Sequence, residues 1–313
     1  MNVTPSLFAR PLTAIPDAPL VHRLAHRLAA TGVRGSLRYW RIAERMAPIP
    51  VTARVTVAGS ELGTEAHESK RHALYRAQYE TTELRLLPRL VQPGDLAVDV
   101  GANIGLYTLA LAALAGSRGR VVASEPSPLV RARLSAAVAR AAAANVEILP
   151  YALGAAAHTA TLTAPADDPG LGTLRRPAAD GRDGSDLETF DVEVRRLDDL
   201  ITDEIGFLKI DTEGWEGEVL AGASSLFDTG RIRCVLLELS PAFGRLDYAP
   251  ELAARNGYTT YLVDLVASRL RTVPILRCVT PAEVGAVEEQ RSLLVVREDA
   301  SAAIHDLVPK GRG

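Results

Sequence analysis

The sequence predicts an α/β chain built on a doubly wound, mostly parallel sheet, and three observations carry that prediction. From Asp95 onward, apolar runs of strand length alternate with helical patterns. A turn bearing two glycines, Val98-Asp-Val-Gly-Ala-Asn-Ile-Gly105, joins the first run to the first helix. A second run, Arg120 to Glu125, ends in a carboxylate about 20 residues further on, where such folds hold a ribose through its hydroxyls.

Taken in order, residues 1–19 read as coil. One or two helices follow, with Leu20, Leu24, Leu28 and Val33 near helical spacing and arginines on the opposite face. His22 and His26 stand four apart without the intervening glutamate of a zinc-binding helix, so a solvated helix face is expected for them. Val51 to Val57 alternates toward Gly59 as a hairpin or edge strand. Residues 66–91 read as a helix that carries Tyr75, Tyr79 and Glu80 in the place where a lid would sit.

The core pattern is strand 96–100, helix 104–115, strand 120–124, helix 127–144 and strand 146–150. Ser127 and Pro128 suit a helix start. Residues 151–193 are rich in Gly, Asp and Pro and read as a long loop or irregular hairpin that covers the substrate. Strand 206–211, helix 215–227, strand 232–238, helix 246–256, strand 258–263 and a last strand 291–297 follow. No internal repeat is visible.

The middle of the glycine turn bears on the cofactor. Dinucleotide folds place a glycine where this chain has Asn103, because the backbone must touch a pyrophosphate there. No Lys-Ser/Thr pair follows to form a P-loop. The turn therefore fits a nucleoside cofactor without phosphates, such as S-adenosylmethionine, with Asp99 facing its ammonium. A glycine turn that serves only helix packing is the plainer alternative.

Four segments together resemble the FkbM-type family of S-adenosylmethionine-dependent methyltransferases. They are Val98-Asp-Val-Gly-Ala-Asn-Ile-Gly-Leu-Tyr107, Ala123-Ser-Glu-Pro-Ser127, Leu208-Lys-Ile-Asp-Thr-Glu-Gly-Trp-Glu216 and Leu236-Leu-Glu-Leu239. The resemblance spans roughly residues 75 to 297. It implies a Rossmann-like class I methyltransferase fold, a seven-stranded sheet whose final strand runs antiparallel, and methylation of hydroxyl groups on natural products or sugars. It also implies cofactor contacts at Asp99, Gly101, Asn103, Gly105 and Glu125, with Glu125 on the ribose. Ser124 and the Asn145 to Ala152 region are expected near the adenine, Pro126 and Ala152 are among the expected cofactor contacts, and Tyr79 and Glu80 are held as pocket residues. The division expected is an N-terminal helical and hairpin extension over 1–70, a catalytic domain over 71–300 and a tail over 301–313.

Strand period places Phe207, Lys209 and Asp211 on one face and Leu208 and Ile210 on the other. A lysine inside a buried strand needs a carboxylate, and Asp211, Asp99 and Glu125 are at hand. Such a pair either fixes the shape of the site or leaves Asp211 or Glu213 to accept a proton from a substrate hydroxyl. Glu238 opens at the same edge and either binds substrate or pairs with Lys209. Asp211 and Glu238 holding magnesium is a further alternative. Trp215 is expected to pack beneath the site or against substrate, packing being the safer reading.

Two cysteines, Cys234 and Cys278, form no zinc or redox pair, and Cys234 reads as a small core residue. The formal charge of −3 argues against a general nucleic-acid binder and favours a small-molecule or carrier-bound substrate. The charge is uneven: residues 1–50 carry seven arginines against Asp17 and Glu44, a local +5 that leaves −8 elsewhere. That stretch reads as a solvated helix or a dimerisation arm making a homo-oligomer, with membrane-surface attachment or recognition of an acidic substrate as alternatives. No apolar stretch is long enough for a membrane helix, and a cytoplasmic location is expected. An NAD(P)-dependent oxidoreductase and a non-catalytic nucleoside-binding protein remain as competing functions.

Overall fold

A computed structural model describes residues 12–47, 55–62, 75, 77, 79–166, 168–174, 187–241, 246–267 and 272–309. The strands in chain order are β1 (Thr13–Ala14), β2 (Val55–Val57), β3 (Ser60–Leu62), β4 (Leu96–Val100), β5 (Arg120–Ser124), β6 (Val146–Leu149), β7 (Ala152–Leu153) and β8 (His158–Pro165). They continue as β9 (Leu187–Arg195), β10 (Phe207–Ile210), β11 (Cys234–Leu239), β12 (Tyr258–Ala267), β13 (Thr272–Cys278) and β14 (Arg291–Arg297).

The central sheet runs β13-β12-β14-β11-β10-β4-β5-β6. β6, β5, β4, β10 and β11 are parallel neighbours, and β14 enters antiparallel between β11 and β12. This is the expected seven-stranded, doubly wound, Rossmann-like sheet, widened by one strand. The addition, β13, was not expected from sequence because Thr272-Val-Pro-Ile-Leu-Arg-Cys278 carries a proline; it lies at the sheet's edge, where proline is tolerated. The order reverses between β4 and β10, so the crevice for a ligand opens at their carboxyl ends.

Strand alternation divides the core as the sequence implies. Phe207, Cys234 and Leu236 join the cluster on one face, against helices Leu106–Ala115 and Thr81–Leu90. Leu208, Ile210, Val235 and Leu237 join the cluster on the other face, against helices Glu216–Ala221, Ser224–Asp228 and Tyr248–Ala253. Helix Leu106–Ala115 is apolar almost all round because it is buried almost all round, and each enclosed leucine there contributes about 1.5–3 kcal/mol relative to exposure. The expected helix 215–227 is broken at Gly222, where a Cβ would lie 2.1 Å from the Gly154 carbonyl oxygen.

The N-terminal segment departs from the sequence reading. Helices Leu20–Ala30 and Ser36–Met46 form, but the first is turned so that Leu20 and Leu24 face solvent while His22, Ala25, His26, Ala29 and Ala30 face inward. His22 and His26 are thus buried, not solvated. His22 bonds the Tyr75 hydroxyl at 2.8 Å, and His26 bonds the Tyr75 carbonyl at 2.8 Å and Thr13 at 3.2 Å. These partners satisfy ring nitrogens that would otherwise be costly to bury. Ile15, Ala25, Trp40 and Ala43 share one cluster with Leu86 and Leu111, so the described part of the extension packs on the same core as the sheet.

Near the expected helix 66–91, regular helix is seen over Thr81–Leu90; Ala77 and Glu80 are left-handed, and residues 63–74, 76 and 78 lie outside the described set. The expected tail begins instead as a 3-10 segment, Glu298–Leu307, with Ile304 buried. Segment 151–193 forms a small sheet, β7-β9-β8, apart from residues 167 and 175–186, which are not described. Among the described residues no helix is long and apolar enough to cross a membrane.

Candidate active site

The glycine turn is shaped by how closely two strands approach. Gly101, at φ +77°, has no room for a side chain because a Cβ would sit 1.8 Å from the Asp211 carbonyl oxygen. The Gly101 and Ala102 amides both donate to the Ser124 carbonyl at 3.0 Å, tying the turn to the end of β5. Asn103 is left-handed; its Oδ1 accepts the Ile104 amide at 2.8 Å and its Nδ2 donates to the Gly170 carbonyl at 3.1 Å. The asparagine that replaces a dinucleotide glycine therefore bridges the turn to the insertion.

Glu125 lies at the end of β5 with both oxygens held by backbone donors. Oε2 accepts from the Asn103 amide and Oε1 from the Ser127 amide, each at 2.9 Å. Burial pushes this carboxyl up to about 7, against the pull of those two amides. Each oxygen keeps a second acceptor site for a hydroxyl.

A denser set of charges sits at the carboxyl end of β10. Lys209 is 3% exposed, with its Nζ 3.3 Å from Asp211 Oδ2 and 5.0 Å from the centre of the Tyr107 ring. Burial alone would lower the Lys209 pKa, but Asp211, Glu80, Glu238 and Asp99 together raise it, so the ammonium is kept. The Tyr107 hydroxyl donates to Glu80 at 2.7 Å. Burial first, and then a hydrogen bond with Asp211, push Glu238 up to about 9, against the pull of Lys209 and of the Gln290 amide that donates to it. The ammonium occupies the place beside Asp211 where the sequence also allowed a magnesium ion.

Glu125 and Asp211 border a cleft. Of the residues expected from sequence, Tyr79, Gly101, Asn103, Ser124, Glu125 and Pro126 line it, together with Ala152, Asp211 and Glu213. Five others do not. Asp99 is buried beneath the turn, accepts from Thr108 Oγ1 at 2.6 Å and is raised by burial to about 6. Gly105 faces Leu134, Glu80 borders a second groove beside Arg34 and Arg85, and Lys209 and Glu238 stand behind Asp211. Asn145, expected near an adenine, donates to Ala112 and Gly116 at the far end of β6.

The structure adds residues that sequence reasoning missed. The insertion supplies Leu162, Pro169, Gly170, Gly172 and Leu174 to the cleft wall, and Thr173 Oγ1 ties it to the Glu213 carbonyl at 2.9 Å. Glu216, 1% exposed, accepts the Thr212 and Gly214 amides at 3.0 Å and so shapes the turn after Asp211. Its place in Asp211-Thr-Glu-Gly-Trp-Glu216, at a helix start, was the available signal. Trp215 packs against the core cluster on one face of the sheet, as expected, and also lines the cleft.

A doubly wound sheet with a cleft at its switch point is the Rossmann-like class I fold, which binds its ligands there. Within that class, the FkbM methyltransferase domain pattern matches residues 99–258, and the chain belongs to that family. The 31-O-demethyl-FK506 methyltransferase FkbM of Streptomyces tacrolimicus is 32% identical over 195 residues, which cover 54% of this chain and 74% of that protein. The AMB antimetabolite synthetase AmbE of Pseudomonas aeruginosa is 30% identical over 211 residues, 54% of this chain, which spans about a tenth (10%) of that protein's length. Among solved structures, the methyltransferase FkbM of Methylobacillus flagellatus KT aligns over 74% of this chain and 55% of its own at 18% identity, with a TM-score of 0.39.

Proposed function

We propose that the protein transfers a methyl group from S-adenosylmethionine to a hydroxyl of a natural product or sugar, free or carrier-bound. The observation that carries this reading is the charge of the cleft. Glu125, Asp211 and Glu213 line it, and none of its described lining residues is basic. A nicotinamide dinucleotide would place its diphosphate among carboxylates, whereas a sulfonium nucleoside is favoured there. The residues fit that group: Glu125 has acceptor sites left for two ribose hydroxyls, and Gly101 and Asn103 form the wall beside them.

Bound there, the sulfonium supplies an electrophilic methyl group. Transfer of this kind is chiefly a matter of alignment, so the chain's own work is holding and deprotonating the acceptor. Asp211 is the group placed to take the hydroxyl proton, because it faces the cleft and pairs with the Lys209 ammonium at 3.3 Å. Glu238, whose carboxyl is pushed up to about 9 chiefly by burial, hydrogen-bonds Asp211 from behind the cleft. The insertion, tied to Asn103 and Glu213, covers the cleft and excludes water. The relative from Streptomyces tacrolimicus bears the name of an enzyme that methylates 31-O-demethyl-FK506, which supports a hydroxyl acceptor. The reading takes the protein as cytoplasmic, with neither nucleic acid nor membrane as partner.

Incubation with tritiated S-adenosylmethionine and pools of hydroxylated metabolites tests this. Label in an alkali-stable methyl ether is expected. Label recovered only in alkali-labile esters, or none in any pool beyond that of the Asp211→Ala variant, would remove the O-methylation reading.

A further inference from the structure

We infer that the N-terminal helix pair and the β12–β13 hairpin form a docking surface for an acidic carrier protein, which brings the acceptor hydroxyl to the cleft on a flexible arm; the inference rests on the methyl-transfer reading above and narrows its acceptor to the carrier-bound class. Of the ten large apolar side chains exposed among the described residues, six lie on helices Leu20–Ala30 and Ser36–Met46 and three on the hairpin. Leu37 and Leu265 line the same groove, so the two sets are continuous. Clustered apolar exposure of this kind marks an interaction site, whereas scattered single side chains do not. Topology puts the surface at the mouth of the cleft. β11 and β12 are both antiparallel to β14 and so run in one direction. β12 leaves β14 after Leu262, and Leu265 to Ala267 pair with β13 alone, past the carboxyl edge at which the cleft opens.

The groove wall includes Glu80, whose chain neighbour Tyr79 lines the cleft. Groove and cleft thus lie on either side of residues 79–80, and an arm anchored at the groove has only to round that segment to bring a hydroxyl to Asp211. Charge selects the partner. Arg23, Arg27, Arg38, Arg41 and Arg45 are exposed on the helix pair, and none forms a salt bridge with a described residue. Glu44 is the one acid in the two helices. A predominantly acidic face opposite these arginines gains attraction and a faster encounter. A second copy of this chain meeting the same surface about a two-fold axis would set arginine against arginine. The groove holds Glu80 and Glu83 beside Arg34 and Arg85, a mixture that suits the varied side chains of a protein better than the uniform charge of an anionic bilayer.

The test titrates the full-length protein with a panel of acyl and peptidyl carrier proteins, each loaded with 3-hydroxybutyrate as a thioester on its phosphopantetheine arm, and reads fluorescence anisotropy. Saturable, salt-sensitive binding to at least one carrier is expected. The combined variant Arg38→Glu, Arg41→Glu, Arg45→Glu should weaken it by about tenfold or more while leaving S-adenosylhomocysteine affinity unchanged. With tritiated S-adenosylmethionine, the carrier-bound hydroxyl should be methylated with a kcat/KM about tenfold or more above that of the same thioester on free pantetheine. No binding to any carrier, binding indifferent to the charge reversal, or equal methylation of free and carrier-bound groups overturns the inference. Charge-dependent binding to phosphatidylglycerol vesicles in place of carriers would assign the surface to a membrane, and a dimer in sedimentation that the variant dissociates would assign it to a second copy; either result overturns the inference as well. Methyl transfer to free acceptors without carrier binding overturns the docking surface alone, whereas no transfer to any free or carrier-bound hydroxyl overturns the methylation reading and this inference with it.

Discussion

The two sides of the cleft handle carboxylates in opposite ways. At Glu125 a single buried acid is held by two backbone amides, and Arg131 donates to its main-chain carbonyl. At Asp211 the acids crowd: Glu80, Glu238 and Asp99 all act on the one buried ammonium of Lys209. Amide donors fixed in a turn give a rigid acceptor pair, which is what holding a ribose requires. A cluster with more acids than cations cannot ionise fully, so it retains protons and can exchange them, which is what accepting a hydroxyl proton requires. One region is built to bind and the other to titrate.

The sharpest way to break this division is to exchange the effects. Asp211→Ala should lower turnover by about a hundredfold or more while leaving S-adenosylhomocysteine affinity within a few-fold, as rates and calorimetry will show. Glu125→Ala should do the reverse. Cofactor affinity should fall by about tenfold to a hundredfold, because charge-assisted bonds to the ribose are lost, with a smaller change in turnover at saturation. If Asp211→Ala weakens binding as much as turnover, the two regions are one and the division is wrong.

The binding side was largely legible in the sequence because it is local. Gly101, Asn103 and Glu125 follow two mostly apolar runs of strand length, Leu96 to Val100 and Arg120 to Ser124, and those runs place them at the strand ends. The titrating side was legible in part: period two placed Lys209 with Asp211, yet sequence could not show that Glu80 reaches Tyr107 or that Glu238 meets Asp211. Those contacts join residues 27 apart in each case, through tertiary packing alone. The histidines show the same limit from the other side. A pattern that counts His as polar places His22 and His26 in solvent, and only Tyr75, 53 residues beyond His22, reveals why they are buried.

Away from the cleft, His26→Ala should cost about 1–3 kcal/mol of stability in a denaturant titration, because it strips the Tyr75 carbonyl and Thr13 of a buried partner. Turnover per folded molecule should be unchanged, and a large loss there would mean that the N-terminal helices serve the chemistry. The subtlest effect concerns Glu238. Its folded pKa of about 9 lies above the ordinary 4.5, so the folded chain keeps a proton that the unfolded chain releases between those values. Its contribution to stability is present at low pH and is lost as pH rises toward 9. Glu238→Gln should flatten the fall in melting temperature across that window, and an unchanged profile would mean that Glu238 is ionised in the folded protein.

The claim on which the rest depends is that the cleft accepts a sulfonium nucleoside and refuses a diphosphate. Calorimetric titration of the full chain with S-adenosylmethionine and, separately, with NADH measures it directly. The account predicts saturable one-to-one binding of the first and no heat from the second; saturable binding of NADH with none of S-adenosylmethionine would contradict it.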